Sequence, residues 1–216
     1  MKHELVENMD SLFFKQIKPR DSDNFSYVIG DERSGLAAVV DPSFNPRLVL
    51  DVLSENGLKL IYIVNTHGHP DHSASNERLK AATGAKIVAH ESSNVRKDVL
   101  AKDGQIIGLN GVKIKVIYTP GHSPDGISLL VDDKLLLTGD TLFVGECGRT
   151  DIPGGDPNKL YDSLFNKRMQ LDDSVEVYPG HDYGAKPHST IGYEKKNNYT
   201  LKPRTKEEFV KFMATP

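Results

Sequence analysis

The chain has 216 residues, 38% hydrophobic and 26% charged, with a formal net charge of −3 at neutral pH. That size and balance suit one globular domain over 1–216 with a sizeable core. The charge leaves no footprint for DNA or RNA, and no apolar run is long enough to cross a bilayer.

The opening Met1-Lys2-His3-Glu4-Leu5-Val6-Glu7 has no hydrophobic signal region, so a cytoplasmic location is expected. Cys147 is the only cysteine, which excludes an intrachain disulfide and a thiolate-rich zinc or iron–sulfur site. Any metal must be held by histidine and carboxylate.

In chain order, strands are expected over 12–17, 25–29 and 36–40, separated by polar turns. A helix follows over 46–56, with Leu48, Val49, Val52 and Leu53 on one face and Gly57 as its stop. A buried strand over 60–64, a helix over 73–82 ending at Gly84 and a strand over 86–89 come next. Further strands fall at 106–107, 113–118, 127–131 and 135–137, the last two joined by a turn at 132–134. A helix over 158–170, a strand over 175–178 and helices around 186–197 and 206–213 complete the chain, making 186–216 a short helical C-terminal segment. Strands interleaved with helices in both halves predict a layered α/β protein. Two packed sheets and one large sheet both accommodate this order.

Residues 66–72 read Thr66-His67-Gly68-His69-Pro70-Asp71-His72 and directly follow the apolar run 60–64. A rigid strand whose loop projects three imidazoles and a carboxylate is how a metal site is built. Three more strands end in a glycine and then a ligand-type residue, at Gly121-His122, Gly139-Asp140 and Gly180-His181. If these strands share an edge, their donors converge as His67, His69, Asp71, His72, His122, Asp140 and His181. That set takes five of the eight histidines. His3, His90 and His188 follow no such rule and read as ordinary exposed or core histidines.

Seven donors exceed the needs of one tetrahedral ion. They could hold two ions about 3.5–4 Å apart around a bridging hydroxide. Alternatively, two histidines and one carboxylate could form a face that suits ferrous iron, the rest orienting the ligands.

These motifs, in type, order and spacing, resemble those of the metallo-β-lactamase-fold superfamily, and the likeness covers nearly the whole chain. Val39-Val40-Asp41-Pro42 is similar to its early motif, in which the aspartate supports the metal site from behind. The resemblance implies an αββα sandwich of two mixed sheets with the metals at one edge. Two branches stand close. Cys147-Gly148-Arg149-Thr150-Asp151, His181-Asp182-Tyr183 and the ending 207–213 resemble the persulfide dioxygenases, which oxidise glutathione persulfide to sulfite with one iron. The stretches 189–196 and 152–155 are similar to small glyoxalase-II-like hydrolases, which cleave hydroxyacyl-glutathione thioesters with two metals. The dioxygenase branch places an arginine after Asn-Pro near the C-terminus, where this chain has Asn198-Tyr199-Thr200-Leu201.

By resemblance, a dioxygenase would use one ferrous iron on His67, His122 and Asp140, with dioxygen and a thiol persulfide as reactants. His69, Asp71, His72 and His181 would tune that centre, and Asp71, His72 and Asp140 are the candidate catalytic groups. Arg149 and Tyr183 are candidates for gripping the thiol carrier. Against that, Arg149 could brace its loop through Asp151, and Tyr183 could be wall packing. The alternative is a two-zinc hydrolase of thioesters, lactones or esters, with His67, His69 and His122 on one ion, Asp71, His72 and His181 on the other, and Asp140 between. Cys147 reads as a small buried filler. A metal-binding module without turnover is disfavoured by the intact donor set, and nuclease action by the lack of a basic stripe. The expected partner is a small thiol-derived molecule, with no nucleic acid or membrane, and the fold family is compatible with a homodimer.

Overall fold

The computed structural model describes residues 11–20 and 22–214, so His3 and the N-terminal run lie outside the described residues. Among the described residues, twelve strands form two six-stranded sheets. The first sheet takes β1 (Leu12–Ile17), β2 (Ser26–Asp31), β3 (Leu36–Val40), β4 (Lys59–Val64), β5 (Lys86–His90) and β6 (Val99–Ala101) in sequence order. β1, β2 and β3 are antiparallel neighbours, whereas β3 to β6 run parallel. The second sheet takes β7 (Ile106–Leu109), β8 (Val112–Tyr118), β9 (Ile127–Val131), β10 (Leu135–Gly139), β11 (Glu176–Pro179) and β12 (Ser189–Thr190), also in order. Only β10 and β11 are parallel there.

The side-chain alternation of strands builds the layers. Tyr27, Ile29, Val40 and Val64 from the first sheet meet Ile114, Val116, Leu129 and Leu137 from the second in the central core. The opposite faces of the same strands carry Val28, Val39 and Ile63, which pack on Val49 and Leu53 of α1 (Pro46–Glu55). Leu79 of α3 (Asn76–Thr83), which follows the short α2 (Pro70–Ser73), joins that cluster. On the far side Leu136 and Val177 pack against Leu160, Ile191 and Phe209. Those three come from α4 (Pro157–Tyr161), α5 (Ile191–Asn197) and α6 (Lys206–Met213). The result is two mixed sheets face to face with helices outside each. Among the described residues no helix is long and apolar enough to cross a membrane.

Three expected helices differ. The helix expected over 73–82 is split, because Ser75 leaves helical geometry to donate through Oγ to the Ser43 carbonyl, while its N–H bonds the Pro42 carbonyl at 3.3 Å. The helix expected over 158–170 is α-helical only to Tyr161, and then widens into a π turn over Asp162–Lys167 and a 3-10 turn over Arg168–Gln170. In the widened turn Ser163 Oγ donates to the Pro120 carbonyl at 2.6 Å, tying it to the loop that carries His122. The helix around 186–197 begins only at Ile191, because Pro187 biases Lys186 away from helix and Ser189–Thr190 pairs as β12. The strand β6 was not anticipated; three residues are too few to show a period.

Asp31 holds the edge opposite the strand ends discussed below. It is fully buried at the end of β2. It accepts bonds from Ser34 Oγ at 2.6 Å in the β2–β3 turn, and from Gly111 N at 3.3 Å in the β7–β8 turn of the other sheet. Burial pushes its carboxyl up, but the bonds from Ser34, Gly111, Ser11 and Arg33 prevail and hold it down to about 2. A depressed pKa contributes stability above the ordinary value of 3.8 that is lost as pH falls through about 2. Asp31→Ala should therefore cost about 1–3 kcal/mol at neutral pH. In denaturant melts the gap to wild type should shrink as the pH is lowered from the unfolded value toward the folded one.

Candidate metal centre

Strand direction explains why distant residues meet. β3 and β4 are parallel neighbours, and β10 is parallel to β11. β8 and β10 both pair antiparallel with β9, so β8, β10 and β11 point the same way. Their C-terminal ends carry Asp41, the 66–72 run, His122, Asp140 and His181. Two backbone bonds lock the sheets together at this edge, Ile127 N to Thr66 O and Phe25 N to Gly180 O, each 2.8 Å. Gly139 takes a left-handed φ of 50° to turn Asp140 inward, and a Cβ at Gly180 would collide with Asp140 Oδ1.

The structure brings all seven candidate donors together. Their ligand atoms fall into the groups His67–His69–His122, His67–His72–Asp140 and Asp71–His72–His181, each within 4.8 Å. In the first group His67 Nε2 and His122 Nε2 lie 2.9 and 3.2 Å from His69 Nδ1. In the third, His72 Nε2 lies 3.2 Å from His181 Nε2, and both lie 3.4 Å from Asp71 Oδ2. Asp140 stands between, with Oδ2 3.6 Å from His122 Nε2 and 3.2 Å from His181 Nε2.

Hydrogen bonds behind the rings fix their tautomers. Asp41 accepts from Thr66 N at 2.7 Å and from Thr66 Oγ1 at 2.6 Å. Since that hydroxyl proton is committed, His67 Nδ1 must donate to Thr66 Oγ1, 3.1 Å away. His72 Nδ1 donates to Asp41 Oδ2 at 3.1 Å, and His122 Nδ1 to the Arg149 carbonyl at 2.9 Å. In the neutral ring each therefore turns the lone pair of Nε2 inward.

The inward atoms fit a cation. One proton on His69 Nδ1 can satisfy His67 or His122, not both, and Asp140 Oδ1 is buried without a hydrogen-bond partner. Nitrogens about 2.0–2.1 Å from one ion lie about 3.0–3.4 Å apart, close to the spacings found here. A divalent metal satisfies these lone pairs together.

Charge divides the cluster. Burial outweighs the attraction of Asp140 and pushes His67 well below the ordinary imidazole value, and burial likewise lowers His122. Burial also opposes charge on His72, but Asp140 and Asp41 hold it well above the ordinary value. His181 is raised to about 9, because hydrogen bonds to Asp140 and Asp71 overcome its desolvation. Asp71 is held far below the carboxylate range despite partial burial, by hydrogen bonds from His181 and His72.

The other candidates sit at the rim or behind it. Arg149 is exposed and forks onto Asp151 through Nε–Oδ1 and Nη2–Oδ2 contacts of 2.6 and 2.7 Å. Tyr183 is exposed and lies flat on His181, with ring centres 4.7 Å apart, and meets Phe143 edge-on. Cys147 is buried and its thiol is pushed up to about 12 by desolvation, so it stays protonated at neutral pH. His90 and His188 stack on Tyr118 and Tyr178, away from the donor groups. Sequence reasoning missed Asn24, Thr66 and Phe143. Only Thr66 carried a signal, as the hydroxyl beside the first histidine.

Loading of the two halves should differ in proton release. His67 and His122 are already neutral, whereas cation entry beside His72 and His181 must displace protons. A calorimetric zinc titration in buffers of different ionisation heat should show little histidine proton release for the first ion. It should show clear release for a second, whose affinity falls as pH drops below about 9, the His181 value.

Comparison with known proteins agrees with the geometry. The Metallo-beta-lactamase superfamily model matches residues 20–181. The mitochondrial persulfide dioxygenase ETHE1 of Homo sapiens is 34% identical over 197 residues, 88% of this chain and 76% of that protein. The hydroxyacylglutathione hydrolase of Anaeromyxobacter dehalogenans is 36% identical over 165 residues, 76% of this chain and 63% of that protein. The crystal structure of ETHE1 from Myxococcus xanthus superposes with a TM-score of 0.89 at 33% identity, covering 94% of this chain and 90% of that one. With the family model spanning most of the sequence and its sheet edge carrying the convergent donors, the chain belongs to the metallo-β-lactamase superfamily.

Proposed function

We propose that the protein is a persulfide dioxygenase that oxidises a thiol persulfide, glutathione persulfide or an analogue, to sulfite. The observation that carries this reading is the close structural match to an ETHE1 crystal structure along nearly the whole of both chains. Persulfide dioxygenases align along most of the chain and of their own length, whereas the Anaeromyxobacter hydrolase matches over a smaller share of both. Overall, the outer sulfur of the persulfide takes oxygen from dioxygen and water and leaves as sulfite, and the thiol is released.

In this reading His67, His122 and Asp140, two histidines and one carboxylate, would hold one ferrous ion. When bound, that ion would supply the redox chemistry for dioxygen and bring the reactants into one place. The chain does the rest. Thr66 and the Arg149 carbonyl keep the inward nitrogens of His67 and His122 free of protons. His72, Asp71 and His181 form a proton-holding network beside Asp140. Arg149 grips the carboxylate of the thiol carrier by exchanging it for Asp151, and Tyr183 and Phe143 wall the approach over His181.

A second reading, a two-zinc thioester hydrolase, is favoured by one observation: the donors divide into two triads with Asp140 between them. Oxygen uptake separates the readings. Anaerobically purified protein loaded with ferrous iron should consume oxygen and form sulfite on adding glutathione persulfide, and should leave S-lactoylglutathione intact. Thiol release from S-lactoylglutathione by the zinc-loaded protein, without persulfide-dependent oxygen uptake, would overturn the proposal. His122→Ala removes a ligand and should lower activity by more than the about 100-fold typical of an outer partner. Arg149→Ala should raise KM about tenfold with little change in kcat, as loss of one charged hydrogen bond to substrate predicts.

A further inference from the structure

The β1–β2 loop reaches the cluster through one side chain that the mechanism above does not use. Asn24 is buried, and its Nδ2 donates to Asp71 Oδ2 at 2.9 Å and lies 3.4 Å from the Asp71 carbonyl oxygen. The amide cannot turn over freely, because Ser22 Oγ donates to Asn24 Oδ1 at 2.8 Å and accepts from Asn24 N at 3.1 Å. The backbone of the same residue bridges to His181. Flanking bonds, Phe25 N to Gly180 O at 2.8 Å and Asp182 N to Asp23 O at 2.7 Å, continue that bridge on both sides.

One loop thus holds two of the three donors of the Asp71–His72–His181 group, the first by side chain and the last by backbone. The third, His72, is held separately by Asp41. The other triad, His67–His69–His122, is braced by Thr66 and the Arg149 carbonyl instead. Asp71 is the donor that most needs support. It is partly exposed, and the oxygen bonded by Asn24 is the one 3.4 Å from both His72 Nε2 and His181 Nε2. Among the described residues, the only other side chains that would oppose rotation of Asp71 toward water are the two imidazoles.

We propose that Asn24 is a positioning residue that sets the affinity of the Asp71–His72–His181 group for a divalent cation, independently of the His67–His69–His122 group. This rests on the cluster offering two cation positions, the second of which the one-iron reading leaves to protons and the two-metal reading fills. Its consequence is that the chain can tune occupancy of the second position from a loop that contributes no ligand. In the dioxygenase reading the same contact aims Asp71 at the proton-holding network.

The test is a cobalt(II) titration of metal-free protein at mildly alkaline pH, followed by calorimetry and by the visible absorption of each bound ion, with metal per chain counted at the end. Wild type should take up two ions in separable events. Asn24→Ala should weaken the second event about 10–100-fold, the usual effect of losing an outer partner, and leave the first unchanged. Ser22→Ala, which keeps the amide but frees its orientation, should weaken the same event by less; it also serves if Asn24→Ala does not fold. Equal weakening of both events, or an unchanged second event, would overturn the proposal. So would a wild-type protein that binds only one cobalt ion. A wild type that binds none would instead sink the metal-centre reading itself, while the oxygen-uptake assay judges the proposed reaction separately.

Discussion

The carboxylate of Asp41 is the contact on which the rest of the site depends. One oxygen accepts the backbone N–H of Thr66, and the other accepts the Thr66 hydroxyl and faces His72 Nδ1. Those contacts set the tautomers of His67 and His72 from behind, leaving their outer nitrogens for the cluster. Asp41 does this with a left-handed φ of 48°, a conformation costly for a residue with a side chain. Its N–H bonds the Val64 carbonyl at 2.9 Å, and its carbonyl accepts from Ser26 Oγ at 2.6 Å. The strain is therefore held by β2 and β4, and the geometry of the donors is inherited from the sheet.

From that anchor the cluster acquires two electrostatic halves. The half around His67 and His122 is buried and neutral, ready to ligate without losing protons. The half around His72 and His181 is paired with Asp71 and Asp140 and holds protons strongly. Asp140 belongs to both, because it follows directly on β10 at the centre of the edge. If both halves take a cation, an arrangement of this kind fills them unequally. That asymmetry is common ground for a one-iron oxygenase and a two-metal hydrolase built on the same donors. What separates these chemistries lies in how firmly the protonated half is held and in what the rim admits.

Much of this was legible in the sequence, for a physical reason. A buried strand reads as an apolar run, and a glycine followed by histidine or aspartate at its end marks where the backbone turns a donor inward. His122, Asp140 and His181 carry that mark, whereas Asp41 and His67 follow their apolar runs without the glycine. Whether one sheet or two lay behind them was open on periodicity, and only strand pairing across β9 shows how β8 and β10 come to point the same way. Of the partners behind the donors, Asp41 and Thr66 carried a signal and the others were silent. Asn24 sits in a polar loop with no pattern around it, and the Arg149 carbonyl has no side-chain signature at all. Two of the helices depart from the expected length where tertiary bonds form, of Ser75 to Ser43 and of Ser163 to Pro120, and such long-range contacts leave no trace in helical periodicity. Arg149 shows the opposite limit. Its pairing with Asp151 was one of two readings open in the sequence, and only the structure shows that pair formed as a two-pronged contact.

The central claim is that side chains from four separate strand ends surround a common cation. Anomalous diffraction from crystals of the metal-loaded protein, recorded on either side of the iron and zinc absorption edges, tests it directly. A peak within coordination distance of His67 Nε2, His122 Nε2 and an Asp140 oxygen is predicted. Fully loaded crystals with no peak at this edge of the sheets, or with the ion bound elsewhere, would contradict it.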